Sequence, residues 1–552
     1  MPSKRGDVSR YSELLVTAFV AASLGPLAPA GTEGQSLPGN RFPLQGEILR
    51  FIRAPGWRAS QWGVLAVSLE NGDTLVALEP DLPMAPASNQ KLFTTAAALD
   101  GLGAAFRFPT YLLTDGAVVD GVLQGDLVLY GTGDPGLSDR FFKSPTDPFR
   151  DFARELSAAG VQTVSGDVIG DGSFFQGPSR RPSWGGLDNW YAAPVSALTF
   201  NENVVTLRIH PGVEGQPTQL LTIPDGAGLR VVNTSRTVAE RTGPRLIVVR
   251  DDPDDPIEIR GEMRVGQGDI WRVITVSDPA QYAAAVFRQV LAEEGIQVLG
   301  GVRSLSAGES SRVTGVQIVA PALRNAPARP LHTVAIHYSP PLGELLGVMN
   351  RASHNLFAEL FLFTLGRVET GEGSFEGGSR AVTDYLVRAV GARPGDLRID
   401  DGSGLSKLNR TTPATFIRLF THVAESSYAD EFWSTVPQAG NPIELRRMYR
   451  TPAAGNLRAK TGTISRVSAL SGVVRTADGE AVLFSIVSNN IPYTNTAKRI
   501  EDQIAVRLAS FSREEPLEPR VALVEYGEYG PRILTQTSGA QAIGPEGTAA
   551  RR

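Results

Sequence analysis

Residues 87–103 read ASNQKLFTTAAALDGLG, a polar turn running into an apolar, Ala-rich helical stretch, and within it Ser88-Asn89-Gln90-Lys91 sets a hydroxyl and an amine three positions apart. Side chains at i and i+3 stack on one face of a helix. A hydroxyl is thereby held beside an amine that can take its proton. Of the 53 Lys plus Arg residues only Lys4, Lys91, Lys143, Lys407, Lys460 and Lys498 are lysine. Such sparing use points to positions where losing a proton matters, because arginine stays charged. Lys91 gives the only S-x-x-K in the chain, Lys460 opens Lys460-Thr461-Gly462, and Ser353-His354-Asn355 lies between them.

Each motif alone is weak. Ser88 would serve equally as an N-cap at a surface turn. Lys-Thr-Gly is a common strand-edge tripeptide, and Ser-x-Asn is weaker still. The information lies in their order and in the element each occupies: helix start, turn and strand.

Composition sets the frame. The 552 residues suit two to four domains, and 42% hydrophobic with 20% charged is an ordinary globular mixture. A net charge of −5 leaves no dominant basic surface, so nucleic acid is not an expected partner. Cysteine is absent, which removes thiol nucleophiles, disulfides and thiolate metal sites. The histidines His210, His332, His337, His354 and His422 lack a metal-ligand spacing, so no metal or other cofactor is expected. No G-x-S-x-G elbow is present, which argues against an α/β-hydrolase triad. At the N-terminus, Lys4, Arg5 and Arg10 precede the apolar run 14–22, and Ala28-Pro29-Ala30 offers small residues near a cleavage point. Residues 1–30 read as a secretory signal peptide, so the mature protein is expected outside the cytoplasm, in the periplasm or cell envelope. No other run approaches the ~20 apolar residues of a membrane span.

Residues 62–79 read as a hairpin about Asn71-Gly72, followed by the helix that Ser88 begins. Near the other end LRAKTGTI reads as a strand, VSALSGVVRT and EAVLFSIVSNN as a hairpin about Asp478-Gly479, and 495–511 as an amphipathic helix. Early and late strands could then share one antiparallel sheet flanked by helices. Residues 106–330 are rich in short strands with Gly, Asp and Pro turns, and only QYAAAVFRQVLAEEG (281–295) reads clearly as a helix. The expected organisation is a discontinuous catalytic domain, 37–105 plus 331–512, an inserted β-rich region at 106–330, and a polar, disordered tail at 513–552.

The ordered triple resembles that of penicillin-binding proteins and β-lactamases. Longer segments narrow the resemblance: GDLVLYGTGDPGL (125–137), GDGSFFQGP (170–178), YAAPVSALTFNEN (191–203) and DGSGLSKLNR (401–410). The chain is similar, over roughly 45–512, to the D-alanyl-D-alanine carboxypeptidase/endopeptidases of peptidase family S13, the penicillin-binding protein 4 type. The long gap between Ser88 and Ser353 fits that family, whereas compact β-lactamases have a short one. His354 departs from it, since an Asp is more usual there.

The resemblance implies an α/β (α+β) fold, a serine β-lactamase/transpeptidase-like domain carrying inserted β-rich domains. It implies attack by Ser88 on peptidoglycan stem peptides, at a D-Ala–D-Ala bond or a D-Ala–diaminopimelate cross-link, with β-lactams as covalent inhibitors. Lys91 would accept the Ser88 proton, its pKa lowered by burial and by Lys460. Asn355 would hold the Lys91 amine and a substrate amide, and Ser353 would relay a proton to the leaving amine. Lys460 and Thr461 suit the substrate's terminal carboxylate, and Gly462 would let the substrate backbone approach. The family implies an oxyanion hole from the N–H groups of Ser88 and Thr463. Asp171 matches a position near the free amine of diaminopimelate; its alternative reading is a turn-forming Asp. Asp401–Ser406 reads as a turn at the active-site rim. Two further readings stay open, a β-lactamase or esterase on the same scaffold and a non-catalytic cell-wall-binding protein.

Overall fold

The computed structural model describes residues 43–52, 60–305, 311, 313, 331–514, 522–527 and 530–535; the expected signal peptide, 1–30, lies outside the described residues. Ten α-helices are described: α1 (Pro43–Ile52), α2 (Gln90–Leu102), α3 (Asp147–Ala158), α4 (Pro279–Glu293), α5 (Leu342–Arg351), α6 (Asn355–Thr370), α7 (Phe375–Arg388), α8 (Pro413–Glu425), α9 (Ala429–Thr435) and α10 (Thr494–Ala509).

Apolar runs at the two ends of the chain build the central sheet. Its strand order is Thr74–Leu78, Gln61–Ser68, Ala481–Asn489, Val467–Arg475, Arg458–Ile464, antiparallel throughout. Val64 lies opposite Ile486, and Ala469 opposite Val487. Because successive side chains point to opposite faces, the same strands feed two cores. Val64, Ala66, Val482, Phe484 and Ile486 pack with Leu44 and Ile48 of α1 and Ile500, Ile504 and Leu508 of α10. Leu65, Leu483, Ala469 and Val487 turn to the other face, where α2, α5, α6 and α8 supply Leu92, Leu346, Phe357, Phe361 and Phe416. Helix α6 is buried from Leu356 to Gly366, the all-round burial of a helix enclosed by others.

The chain leaves this assembly after α2 and returns at α5 through adjacent strands. Pro109–Thr114 pairs antiparallel with His332–Tyr338, and the Ser339 N–H donates to the Phe108 carbonyl at 2.9 Å. An insertion whose two ends lie side by side can be long without separating α2 from α5. Between them, Pro109–Thr114, Leu127–Tyr130, Val168–Asp171 and Val302–Ser304 form a sheet with the return strand, and several smaller sheets follow.

Two elements differ from the sequence reading. The inserted region holds a second helix, α3, besides α4. Its apolar residues Phe149, Phe152, Ala153 and Leu156 follow helical spacing and pack on Phe200 and Phe287. The tail read as polar contains an antiparallel hairpin, Ala522–Gly527 with Gly530–Thr535, whose ALVEYG and GPRILT segments carry enough β-branched and aromatic residues to pair.

Candidate active site

The three motifs meet at the edge of the central sheet. Ser88 sits in a 3-10 turn, Ala87–Asn89, that feeds α2. Ala87 has φ +49, a costly conformation for a residue with a Cβ, and it turns the chain sharply before Ser88. Ser88 is half-buried, while Lys91, one turn later, is wholly buried. The nucleophile candidate thus faces the solvent side and the amine lies behind it.

Lys91 Nζ has three oxygen neighbours: Asn355 Oδ1 at 2.7 Å, the Ser403 carbonyl at 2.7 Å and Ser88 Oγ at 3.2 Å. A neutral amine has two N–H bonds and one lone pair. The two carbonyl oxygens can only accept, so they take the N–H bonds and leave the lone pair for the Ser88 hydroxyl. Burial lowers the Lys91 pKa to about 7, against the Glu359 and Asp401 carboxylates, which push it up. Burial is the largest cause; the nearby charges act against it, and Lys460, expected to help lower the value, is not among the causes.

Asn355 begins α6. Its amide orientation is fixed from both ends, since Oδ1 accepts from Lys91 and Nδ2 donates to the Tyr191 carbonyl at 2.8 Å. The inserted region therefore supplies one contact to the Ser-x-Asn motif. It supplies another through His354, whose Nε2 lies 2.7 Å from Glu202 Oε2, while Glu202 also ion-pairs with Arg140. The His354 ring packs 4.5 Å from Phe357. Polar pairing thus accommodates the departure at His354. Ser353, at φ +56, turns its hydroxyl to Lys460, whose Nζ donates to Ser353 Oγ at 2.9 Å and to the Thr461 carbonyl at 2.8 Å. Lys460 is also buried; burial first, then the Lys91 charge, hold its pKa well below the ordinary lysine value.

Lys460, Thr461, Gly462 and Thr463 lie on the strand at one end of the sheet; its outer side is bridged at Arg458 by Gln438, and among the described residues no further strand pairs beyond that point. An extended peptide can add to such an edge. Gly462 has a different neighbour from the one expected: a Cβ there would stand 2.7 Å from the Pro86 carbonyl oxygen and 3.1 Å from Ser88 N. The glycine lets the Ser88 turn press against the strand.

Asp171 lies in the inserted region, on the strand Val168–Asp171. It is wholly buried at the end of its strand, accepting from Ser173 N–H at 2.9 Å and from Ser311 Oγ. Its bond to the N–H two residues on is that of a turn-forming Asp. Phe174 and Phe175 belong to the core.

Several contributors were not visible as motifs. The 401–406 segment lies directly under the amine, not at the rim, and presents the carbonyl of Ser403 in place of its hydroxyl. Asp401 folds that loop by accepting from the Gly404 and Ser406 N–H groups and from Trp184 Nε1. Gly404 has φ +81, and a Cβ on it would stand 1.8 Å from the Ala87 carbonyl oxygen. Gly404→Ala is therefore expected to destabilise the fold by about 2–3 kcal/mol, read as a lower midpoint of thermal or urea unfolding. An unchanged midpoint would mean the loop does not pack against the Ser88 turn. Glu359, on α6, was detectable only as the residue one turn beyond Asn355.

Among the described residues no group of three His, Asp or Glu side chains could hold a metal ion, and no helix is long and apolar enough to cross a membrane.

Comparison with known proteins shows the family and the fold. The model of the D-Ala-D-Ala carboxypeptidase 3 (S13) family matches residues 44–511. The chain is 30% identical over 533 residues to a D-alanyl-D-alanine carboxypeptidase from Actinomadura sp. (strain R39), covering 93% of each. It is 26% identical to D-alanyl-D-alanine carboxypeptidase DacB from Haemophilus influenzae, covering 77% of this chain and 84% of that one. The crystal structure of penicillin binding protein 4 (dacB) from Haemophilus influenzae shares the fold, with TM-score 0.69 at 24% identity, covering 84% of this chain and 99% of that one.

Proposed function

The chain belongs to the D-Ala-D-Ala carboxypeptidase 3 (S13) family of hydrolases, and on that premise we propose that it cuts peptidoglycan stem peptides through an ester on Ser88, with Lys91 as the base. The observation that carries this reading is the Lys91 amine, held by two carbonyl oxygens with its third direction on Ser88 Oγ.

The steps follow from the side chains in place. Lys91 Nζ takes the Ser88 proton as Oγ bonds to the carbonyl carbon of the penultimate D-Ala. The N–H groups of Ser88 and Thr463 receive the developing oxyanion; donors of this kind typically contribute about 10²–10³ in rate each. The C–N bond breaks as the proton taken up by Lys91 passes through Ser353 Oγ to the leaving amine, with Ser353 Oγ accepting from Lys460 Nζ at 2.9 Å. Thr461 and Lys460 bind the departing residue's carboxylate through N–H and O–H donors, and the edge strand aligns the stem. Water then hydrolyses the ester. A penicillin forms the same ester and leaves slowly, so β-lactams act as covalent inhibitors. A peptidoglycan substrate places the protein in the cell envelope.

The test uses purified protein with a stem pentapeptide and, separately, a D-Ala–diaminopimelate cross-linked dimer, with products identified by mass. Release of one D-Ala from the pentapeptide is expected, and cleavage of the dimer to monomers marks endopeptidase action. If both substrates survive while the protein still labels with penicillin, the substrate assignment fails.

A further inference from the structure

Glu359 belongs to none of the three motifs, yet it is wholly buried beside them. It lies on α6 one turn after Asn355, on the same face. Its two oxygens accept the N–H groups of Gly402, at 2.8 Å, and Ser403, at 2.9 Å. The carbonyl of the same Ser403 accepts from Lys91 Nζ at 2.7 Å. That backbone is pinned on its other side as well, by Thr94 Oγ1 donating to the Gly402 carbonyl at 2.8 Å. A Cβ on Gly402 would stand 2.5 Å from the Ala358 carbonyl oxygen, so the loop sits tight against α6.

We propose that Glu359 is a positioning residue for acylation: its carboxylate fixes the 402–403 backbone so that the Ser403 carbonyl orients the Lys91 amine. The inference rests on the reading of Lys91 as proton acceptor. The hydrogen bonds favour the anion. Each oxygen faces an N–H donor, so a carboxylic acid would set its O–H against one of them, whereas the anion accepts both. The charged groups that meet here are Lys91 from α2, Lys460 from the edge strand, Asp401 from the loop and Glu359 from α6. Burial, and after it the Asp401 charge, raise the Glu359 pKa to about 8, against its bonds to Ser403 and Gly402 and the Lys91 charge, which lower it. The anion raises the Lys91 pKa. Removing its charge must therefore lower that pKa and extend the free base to lower pH.

The test measures acylation by a fluorescent penicillin and D-Ala release across pH for the wild type, Glu359→Gln and Glu359→Asp. Glu359→Gln cannot accept both N–H groups. Its plateau rate is expected to fall about 10- to 100-fold through misplacement of the amine, with KM moving less than about threefold. Its acidic limb should shift to lower pH by about one unit. Glu359→Asp keeps the charge on a shorter arm, so it should also be slow but with the wild-type limb. A slow Glu359→Gln with an unmoved limb would reduce the residue to a structural cap and overturn the proposal, as would wild-type rates in either variant. If Glu359→Gln does not fold, the rate of Glu359→Asp decides. Ser88→Ala serves as control: labelling that persists there refutes the acyl-serine reading, while its loss together with a normal Glu359→Gln refutes only this inference.

Discussion

Ser88→Ala is expected to abolish covalent penicillin labelling and to cut D-Ala release by on the order of 10⁶, the scale seen when a serine hydrolase loses its nucleophile. The fold should survive. Ser88 is half-buried, and its hydroxyl touches Lys91 at 3.2 Å without supporting the core. Intact-mass measurement after incubation with penicillin, beside thermal unfolding of the same protein, separates loss of chemistry from loss of structure. A penicillin adduct on the folded variant would place the nucleophile elsewhere. The wild type in the same assay addresses the competing enzyme reading. Rapid loss of the adduct with turnover of the drug would favour a β-lactamase; a long-lived adduct favours a peptidase that penicillin inhibits. A non-catalytic wall-binding protein would form no adduct.

Lys91→Arg should be nearly as damaging, although it preserves a cation. Guanidinium does not give up its proton at any working pH, so the Ser88 proton has no acceptor. The expected loss in acylation rate is about 10²–10⁴, the usual weight of general base catalysis. The site is wholly buried and guanidinium is larger than the amine it replaces, so Lys91→Met, closer in volume, is the companion variant. The wild type should show the matching pH dependence. With the Lys91 pKa lowered to about 7, the rate rises through that pH as the amine loses its proton and falls below it. An acidic limb near the ordinary carboxylate range, or near-normal acylation by Lys91→Arg, would exclude Lys91 as the acceptor.

The fold was legible where the sequence has strong patterning. Apolar runs of strand length in 61–68, 467–475 and 481–489, bounded by turn residues, are enough to assign strands with two buried faces, and the structure pairs them in one sheet. Helix α3 was missed because its apolar stripe is interrupted by Arg150, Asp151, Arg154 and Glu155, which are the residues of its outer face. The site was legible to the extent that its parts are local in sequence. Ser88 and Lys91 meet through helical spacing alone. The contacts to Tyr191, Glu202, Glu359 and Ser403 join segments distant in sequence through backbone atoms and a helix face, and no short motif records a carbonyl. Asp171 shows the turn bonding of the alternative reading that the sequence left open.

The central sheet also sets the order in which the polypeptide can mature. Strand Gln61–Ser68 emerges early in synthesis, but its inner neighbour, Ala481–Asn489, is made last among the sheet's members. Ala85, just ahead of Ser88, is held through the side chain of Asn489, 404 positions later. Contacts this remote are slow to form and leave apolar surface bare in the meantime. A nascent chain lacking its final hundred residues has no finished pocket, so hydrolytic competence should arise abruptly at completion, and C-terminal truncations reaching residue 489 should yield inert, aggregation-prone protein.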